Sequence, residues 1–368
     1  MVKKRDSNLE LFRIISMTII VAHHYVVNSG LLDCVQGTSL NDILILIFGW
    51  GGKTGINCFM MITGYFMCAA KVELDNKKYI KKYLLKFFRL LVEVEFYTIL
   101  IYFIFIISGY ESLSIKGFIK AIFPFYYIKD GFTSCFLLFY LLIPFLCKFV
   151  QCLSEKEHRY LLFVLLLIYT VMPSLKMEIV FNYITWFSVI FIIASYIQLH
   201  ADDSTIFSQG IFSKTKLWGI WTVIMLVLSW GSVAFIQIVG LKMQNIKSGL
   251  EQCRYFFVSD SNKILALATA ICAFLFFKNI NIKYNKFINM VAASTFGVLM
   301  IHANSDTMRQ WLWKDTFDNA GHYSHTFPYA LGVVAIVFCV CTIIDIVRIY
   351  VLEKPLFNYI ERKCKIDE

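Results

Sequence analysis

Apolar runs recur along this whole chain, and most are long enough to cross a lipid bilayer. A transmembrane helix needs about 20 predominantly apolar residues. Lipid offers the backbone no hydrogen-bond partners, so segments of this length are predicted to be helices. The predicted spans cover about 9–28, 48–69, 83–108, 132–150, 159–174, 181–199, 216–240, 262–279, 288–308 and 328–352. We therefore expect an all-α polytopic membrane helix bundle of about ten spans.

Composition supports a membrane class over the full length of the chain. Hydrophobic residues make up 58% of the sequence and charged residues only 16%, whereas soluble domains carry about 25% charged residues. The deficit of charged residues is spread along the whole chain, which argues against a soluble domain with one membrane anchor. Internal repeats, low-complexity stretches and Gly/Ser linkers are not visible. Residues 1–368 are therefore predicted to form a single transmembrane domain.

The positive charge predicts orientation rather than nucleic-acid binding. The net charge is +10, but no nucleic-acid-binding module accompanies it. With the N-terminus inside, the inner segments carry about twice as many Lys and Arg residues as the outer ones. We expect both termini to be cytoplasmic, in a multi-pass protein of the cell membrane whose immediate partner is membrane lipid. The oligomeric state is left open, and a homo-oligomer is one possibility.

The cysteines and histidines do not form a metal-binding pattern. Most of the 11 cysteines lie in apolar runs, and no C-x-x-C pair or H-E-x-x-H helix occurs. Cys34 and Cys253 fall in predicted outer loops and could pair or stay reduced. His23 and His24 are adjacent, so their side chains cannot share one helix face. No metal cofactor is expected.

The first span carries ionisable residues, which are costly in a membrane and usually have a partner or a function. Arg13 and His24 are eleven residues apart, which places them within about 20° of one helix face and about 16 Å apart along the axis. One interpretation is a cationic anchor facing the cytoplasm and a catalytic imidazole towards the outer side. The other is an arginine that snorkels to the headgroups and an interfacial histidine.

The third span opens with basic residues at helical spacing. Lys82, Lys86 and Arg89 recur at i, i+4 and i+7 and would share one face. Arg and Lys are the usual partners of phosphate, so a phosphate-bearing cytoplasmic cofactor is one interpretation. Positive-inside anchoring is the alternative for the outermost lysines. Glu93 and Glu95 are rival counter-charges, and Glu93 is at i+4 from Arg89.

The ninth predicted span ends in a cluster of polar residues. His302, Asp306 and Arg309 also follow i, i+4 and i+7 spacing, with Asn304 between them. They could form a polar wall that binds an acceptor at the outer face. They could equally be an interfacial cap held by the tryptophans that follow.

Together these segments resemble, in order, the motifs of the acyltransferase 3 family of membrane proteins. The matching segments are Glu10-x-x-Arg13 with His24, Gly55-Ile56-Asn57 through Thr63-Gly64-Tyr65, Phe139 to Leu146, Ser294 to His302, and Glu353-Lys354-Pro355. They extend over nearly the whole chain. Each motif alone is of moderate specificity, and the ordered set is specific.

The resemblance implies a ten-span fold that moves acyl groups, usually acetyl from cytoplasmic acetyl-CoA, to sugars at the outer face. It implies that His24 is the general base or acyl relay, and that Arg13 holds the acyl-CoA or stabilises developing charge. Lys86-x-x-Arg89 would be the donor-site basic pair, usually Arg-x-x-Arg in the family. Lysine lacks the bidentate fork of arginine. The acceptor sugar is left undetermined.

The leading hypothesis is therefore an O-acyltransferase, with acetyl-CoA as donor and an extracytoplasmic or lipid-linked glycan as acceptor. A histidine is suited to deprotonate a hydroxyl near neutral pH. One alternative is a transporter or flippase of a lipid-linked sugar, although inverted repeats are not visible. The other is a non-catalytic scaffold, which would leave the aligned Arg13 and His24 unexplained.

Overall fold

The computed structural model describes residues 6–123, 125, 131–200, 211–243 and 253–363. Over these ranges the secondary structure is helical, joined by turns and loops, and contains no strand. The predicted all-α class is confirmed.

The helices of the first half alternate between long apolar segments and short connecting ones. In chain order they are α1 (Ser7–Val27), α2 (Leu31–Cys34), α3 (Leu40–Phe48), α4 (Gly52–Met67), α5 (Lys77–Ile107), α6 (Ile115–Ile122), α7 (Phe132–Gln151), α8 (Glu155–Leu166) and α9 (Met172–Ser174). A π-helical turn, Leu167–Val171, joins α8 to α9.

The second half has the same character, and its later helices are interrupted. They are α10 (Tyr183–His200), α11 (Thr215–Lys242), α12 (Ile264–Asn279), α13 (Lys286–Ala293), α14 (Thr295–His302), α15 (Asp306–Gln310), α16 (Thr326–Arg348) and α17 (Lys354–Lys363). Two π-helical segments, Trp311–Thr316 and Ile349–Glu353, follow α15 and α16, and 3₁₀ turns lie at Ile211–Ser213 and Tyr323–His325.

The apolar helices confirm a polytopic membrane bundle. In the described part of the chain, 7 helical stretches are long and apolar enough to cross a membrane. An eighth is added if the bent pair Lys286–His302 and Asp306–Thr316 is one span. The predicted spans at 159–174 and 262–279 fall on α8–α9 and on the 16-residue α12. A count of ten and cytoplasmic termini stay predictions.

Polar residues in the loops set where the helices begin. At the start of α3, the Ser39 hydroxyl accepts from the backbone N–H of Asp42, and the Asp42 carboxylate accepts in return from the Ser39 backbone. At the start of α5, the Asn76 side chain accepts from the next turn. These groups satisfy amides that have no partner within the helix.

Helix α1 lies at the centre of the bundle and contacts α3, α4, α12, α13, α14 and α16. Glycines allow α4 to approach it closely. A Cβ at Gly55 would lie 2.9 Å from the Ser16 carbonyl oxygen, and one at Gly52 would lie 2.2 Å from the His23 ring. Small residues therefore permit close packing of α4 against α1.

A buried polar link joins α4 to α10. The Trp186 indole N–H donates to Asn57 Oδ1 at 2.9 Å, and Asn57 Nδ2 donates to the Ser261 carbonyl at 2.7 Å. All three residues are buried. Cys34 and Cys253, which could have paired, are both free thiols.

Candidate active site

The first and ninth predicted spans meet through two histidines. His24 lies near the end of α1, and His302 is the last residue of α14. The Nδ1 atom of His24 lies 2.9 Å from the Nε2 atom of His302. The two residues are 278 positions apart in the sequence. His302 is fully buried and His24 is partly buried. A break at Ser294, which ends α13 and begins α14, precedes the second histidine.

The hydrogen bonds of this pair determine which nitrogens carry protons. His302 Nδ1 lies 2.6 Å from the Val298 carbonyl oxygen, which can only accept, so Nδ1 is the protonated nitrogen. Neutral His302 then presents a lone pair at Nε2, and His24 Nδ1–H must donate to it. The lone pair of neutral His24 is consequently at Nε2. This is the tautomer that a general base needs, with its opposite nitrogen held by a fixed acceptor.

His23 makes a hydrogen bond outside this pair, although its ring centre lies 5.7 Å from that of His24. Its Nδ1 lies 2.6 Å from the Gly49 carbonyl oxygen, and its ring packs where a side chain at Gly52 would otherwise lie. Among the residues described, no group of three or more His, Cys, Asp or Glu side chains could hold a metal ion. The absence of a metal cofactor stays a prediction.

Two cations act electrostatically on His24: Arg309 and Lys53. The Lys53 ammonium donates to the Tyr183 hydroxyl at 2.7 Å and lies 3.5 Å from the Asp260 carboxylate. Sequence analysis did not select Lys53 for the site. Its only signal was a cation beside the glycines that begin α4.

His302, Asp306 and Arg309 do not lie on one continuous helix, although they follow i, i+4 and i+7 spacing. Helix α14 ends at His302, and the chain bends by 93° before α15 begins. Asp306 instead pairs locally with Arg309 at 2.7 Å, and its side chain is 96% exposed. Asn304 Nδ2 donates to the Met300 carbonyl at 3.0 Å, which satisfies an acceptor at the end of α14.

Some of these polar residues line a cavity of about 440 Å³ beside the His24 end of α1. Its lining residues are Val27, Asn28, Gly30, Leu32, Asp33, Asp306, Arg309, Gln310 and Lys314. Asn28 is one helical turn beyond His24, since its backbone N–H donates to the His24 carbonyl at 3.1 Å. The bend after α14 thus brings Asp306 and Arg309 to the end of α1.

Arg13 lies on α1 together with His24, as predicted. Eleven residues of continuous helix put the two about 16 Å apart along the axis. The Arg13 guanidinium lies 3.6 Å from the Glu10 carboxylate and 5.6 Å from the Phe59 ring centre. Arg13 therefore marks the end of α1 opposite to the histidine pair.

The predicted basic face of α5 divides into two parts. Lys82 and Lys86 are exposed. The Arg89 guanidinium lies 3.1 Å from the Glu361 carboxylate and 4.0 Å from that of Glu353, and it stacks over the Phe357 ring at 4.7 Å. Its counter-charges therefore come from the C-terminal segment.

The rival explanation that Glu93 neutralises Arg89 is wrong, because Glu93 lies 2.9 Å from Arg348. Arg348 also contacts Asp345 and Glu353, each at 2.7 Å, and the Tyr97 hydroxyl donates to Asp345 at 2.7 Å. Sequence analysis missed this buried cluster. Its signal was the Asp345-x-x-Arg348 spacing inside an apolar run, which is as costly in lipid as Arg13.

Comparison with known proteins identifies the family of this chain. The model of the acyltransferase 3 family, described as an acyltransferase domain, matches residues 6–346. The matched region contains both histidines of the pair and Arg13. Comparisons with curated proteins and with solved structures give no match. The chain therefore belongs to the acyltransferase 3 family and is a membrane acyltransferase.

Proposed function

We propose that this protein is an O-acyltransferase that moves an acetyl group from cytoplasmic acetyl-CoA to a hydroxyl of an extracytoplasmic or lipid-linked glycan. The observation that carries the proposal is the His24–His302 pair. It leaves a lone pair on His24 Nε2 while Nδ1–H is held by a buried acceptor. The family match supports acyl transfer, and this pair supports the base that acyl transfer to a hydroxyl requires.

In the proposed step, His24 Nε2 accepts the proton of the acceptor hydroxyl as that oxygen bonds to the acyl carbon. The carbon–sulfur bond of the thioester then breaks, and the proton passes from His24 to the departing thiolate. The products are the O-acetyl ester and free CoA thiol. His302 Nε2 holds the His24 Nδ1–H throughout, and this hydrogen bond strengthens while His24 is cationic. A positioned base of this kind contributes about 10²–10⁴-fold.

The two ends of α1 suit the two substrates. Arg13 marks the end that the charge distribution assigns to the cytoplasm, where the phosphates of acetyl-CoA would arrive. His24 lies at the other end, beside the polar cavity. Lys82, Lys86 and Arg89 stay candidates for the donor site, with Arg89 already paired to two glutamates.

A His24→Ala strain tests the reaction. We expect surface glycan to be exported at normal levels but to lack O-acetyl groups when analysed by NMR. His322→Ala is the matched control, because His322 bonds the carbonyl of Asp318 away from the pair. Normal acetylation with the His24 variant present in the membrane refutes the assignment. Loss of glycan export instead supports the flippase alternative.

The donor site is tested separately by thermal unfolding with and without acetyl-CoA. A ligand at 100 times its Kd stabilises the folded state by about 2.7 kcal/mol. We expect Arg13→Ala and Arg89→Ala each to reduce the stabilisation by acetyl-CoA. Lys116→Ala, on the distant helix α6, serves as a cationic control. Unchanged stabilisation in both arginine variants removes these residues from the donor site.

A further inference from the structure

The end of α1 presents an amide nitrogen that makes no hydrogen bond within the described part of the chain. Asn28 caps α1, and its backbone bond to the His24 carbonyl places it one turn above the base. Side chains at i and i+4 on a helix are neighbours, with Cβ atoms about 5–6 Å apart. Asn28 Nδ2 is buried and has no hydrogen-bond partner among the described residues.

An unpaired amide is unfavourable unless a bound group uses it. Leaving a buried donor unsatisfied costs about 1–3 kcal/mol in a folded protein. Asn28 also lines the cavity of about 440 Å³ at the end of α1. Ligand sites typically carry a few polar groups of this kind, which orient the ligand. A turn of the Asn28 side chain towards the cavity would let a ligand oxygen satisfy the amide.

The charges of the cavity indicate what kind of ligand fits. Its ionisable lining residues are two carboxylates, Asp33 and Asp306, and two cations, Arg309 and Lys314. The charges balance, and Arg309 is already paired to Asp306 at 2.7 Å. A ligand with its own net charge would find no excess of opposite charge in the cavity to neutralise it. An uncharged group rich in hydroxyls can accept from the cations and the amide and donate to the carboxylates.

We propose that this cavity binds an uncharged, polyhydroxylated unit of the acceptor. In this arrangement Asn28 Nδ2 donates to an acceptor oxygen close to the hydroxyl that His24 deprotonates. The inference rests on the proposed function and adds an acceptor class and a positioning residue to it. Since Asn28 is farther than His24 from the Arg13 end of α1, it acts on the acceptor and not on acyl-CoA.

The test uses the purified full-length protein, acetyl-CoA, and unacetylated surface polysaccharide from a strain that lacks the gene. We expect Asn28→Ala to raise the KM for polysaccharide by roughly three- to tenfold, the range for one neutral hydrogen bond. The KM for acetyl-CoA should not change. Asn28→Asp, which has the same shape but cannot donate, should behave similarly. Asn41→Ala is the control, since Asn41 Nδ2 already donates to the Tyr323 carbonyl at 2.7 Å.

An unchanged polysaccharide KM in both Asn28 variants overturns the positioning role. An equal rise in the KM for acetyl-CoA overturns it too, because Asn28 would then act on the donor or on folding. NMR of the wild-type product tests the acceptor class: esters on uncharged sugar residues support it, and esters confined to acidic residues overturn it. Failure of the wild-type protein to acetylate the polysaccharide refutes the proposed function itself, a separate outcome.

Discussion

Replacing His302 with phenylalanine removes the acceptor that holds His24 and nearly preserves the volume of the buried ring. His24 Nδ1–H, now 2.9 Å from His302 Nε2, loses its partner. The neutral imidazole can respond by moving its proton to Nε2. That tautomer no longer presents a lone pair where the acceptor hydroxyl would bind. We therefore expect a loss of turnover with little change in the KM for acetyl-CoA.

The size of the loss follows from the hydrogen bond. An unpaired buried donor costs about 1–3 kcal/mol, and each 1.36 kcal/mol is tenfold in rate. His302→Phe should therefore reduce kcat by about 10- to 100-fold. Removing the base with His24→Ala should cost about 10²–10⁴-fold. His302→Gln should recover part of the loss, because its amide oxygen can accept from Nδ1–H.

A double-mutant cycle gives the decisive measurement. CoA release is measured for the two single variants and for the double variant, with protein amount matched by quantitative blotting. If His302 acts through His24, adding His302→Phe to His24→Ala should have no further effect. Additive losses refute the reasoning, since they would mean that His302 contributes independently. A kcat for His302→Phe equal to that of the wild type refutes it as well.

The remaining predictions concern stability and are checked by thermal unfolding in detergent. Arg348→Met leaves three carboxylates without their shared cation and should cost about 3–5 kcal/mol; an unchanged Tm contradicts this. Gly297→Ala would place a Cβ 2.1 Å from a buried carboxyl carbon and should lower Tm, whereas Gly332→Ala, with nothing within 4 Å, should not; equal Tm values for the two variants contradict the packing argument. Asn57→Leu leaves the Trp186 N–H unpaired and should cost about 1–3 kcal/mol; wild-type stability would show that the link is dispensable.

The sequence by itself determined the class of the protein, because transfer into lipid depends on local composition. Each predicted span falls on helical chain, and Arg13 and His24 do lie on one uninterrupted helix. Helical periodicity relates residues within one helix, so their relative face and axial distance could be worked out in advance. The ordered motifs also indicated the family that the domain match then established.

Only the tertiary structure decided which residues meet across helices. The periodicity of one segment carries no information about a partner 278 positions away, so the His24–His302 hydrogen bond could not be predicted. The same limit applies to Arg89, whose counter-charges come from the C-terminal segment and not from Glu93. The bend after His302 also escaped prediction, since an i, i+4, i+7 pattern assumes a helix that continues. At the bend the Ser305 hydroxyl accepts from the Met308 backbone N–H and begins α15, which places Arg309 at the cavity lined by the end of α1.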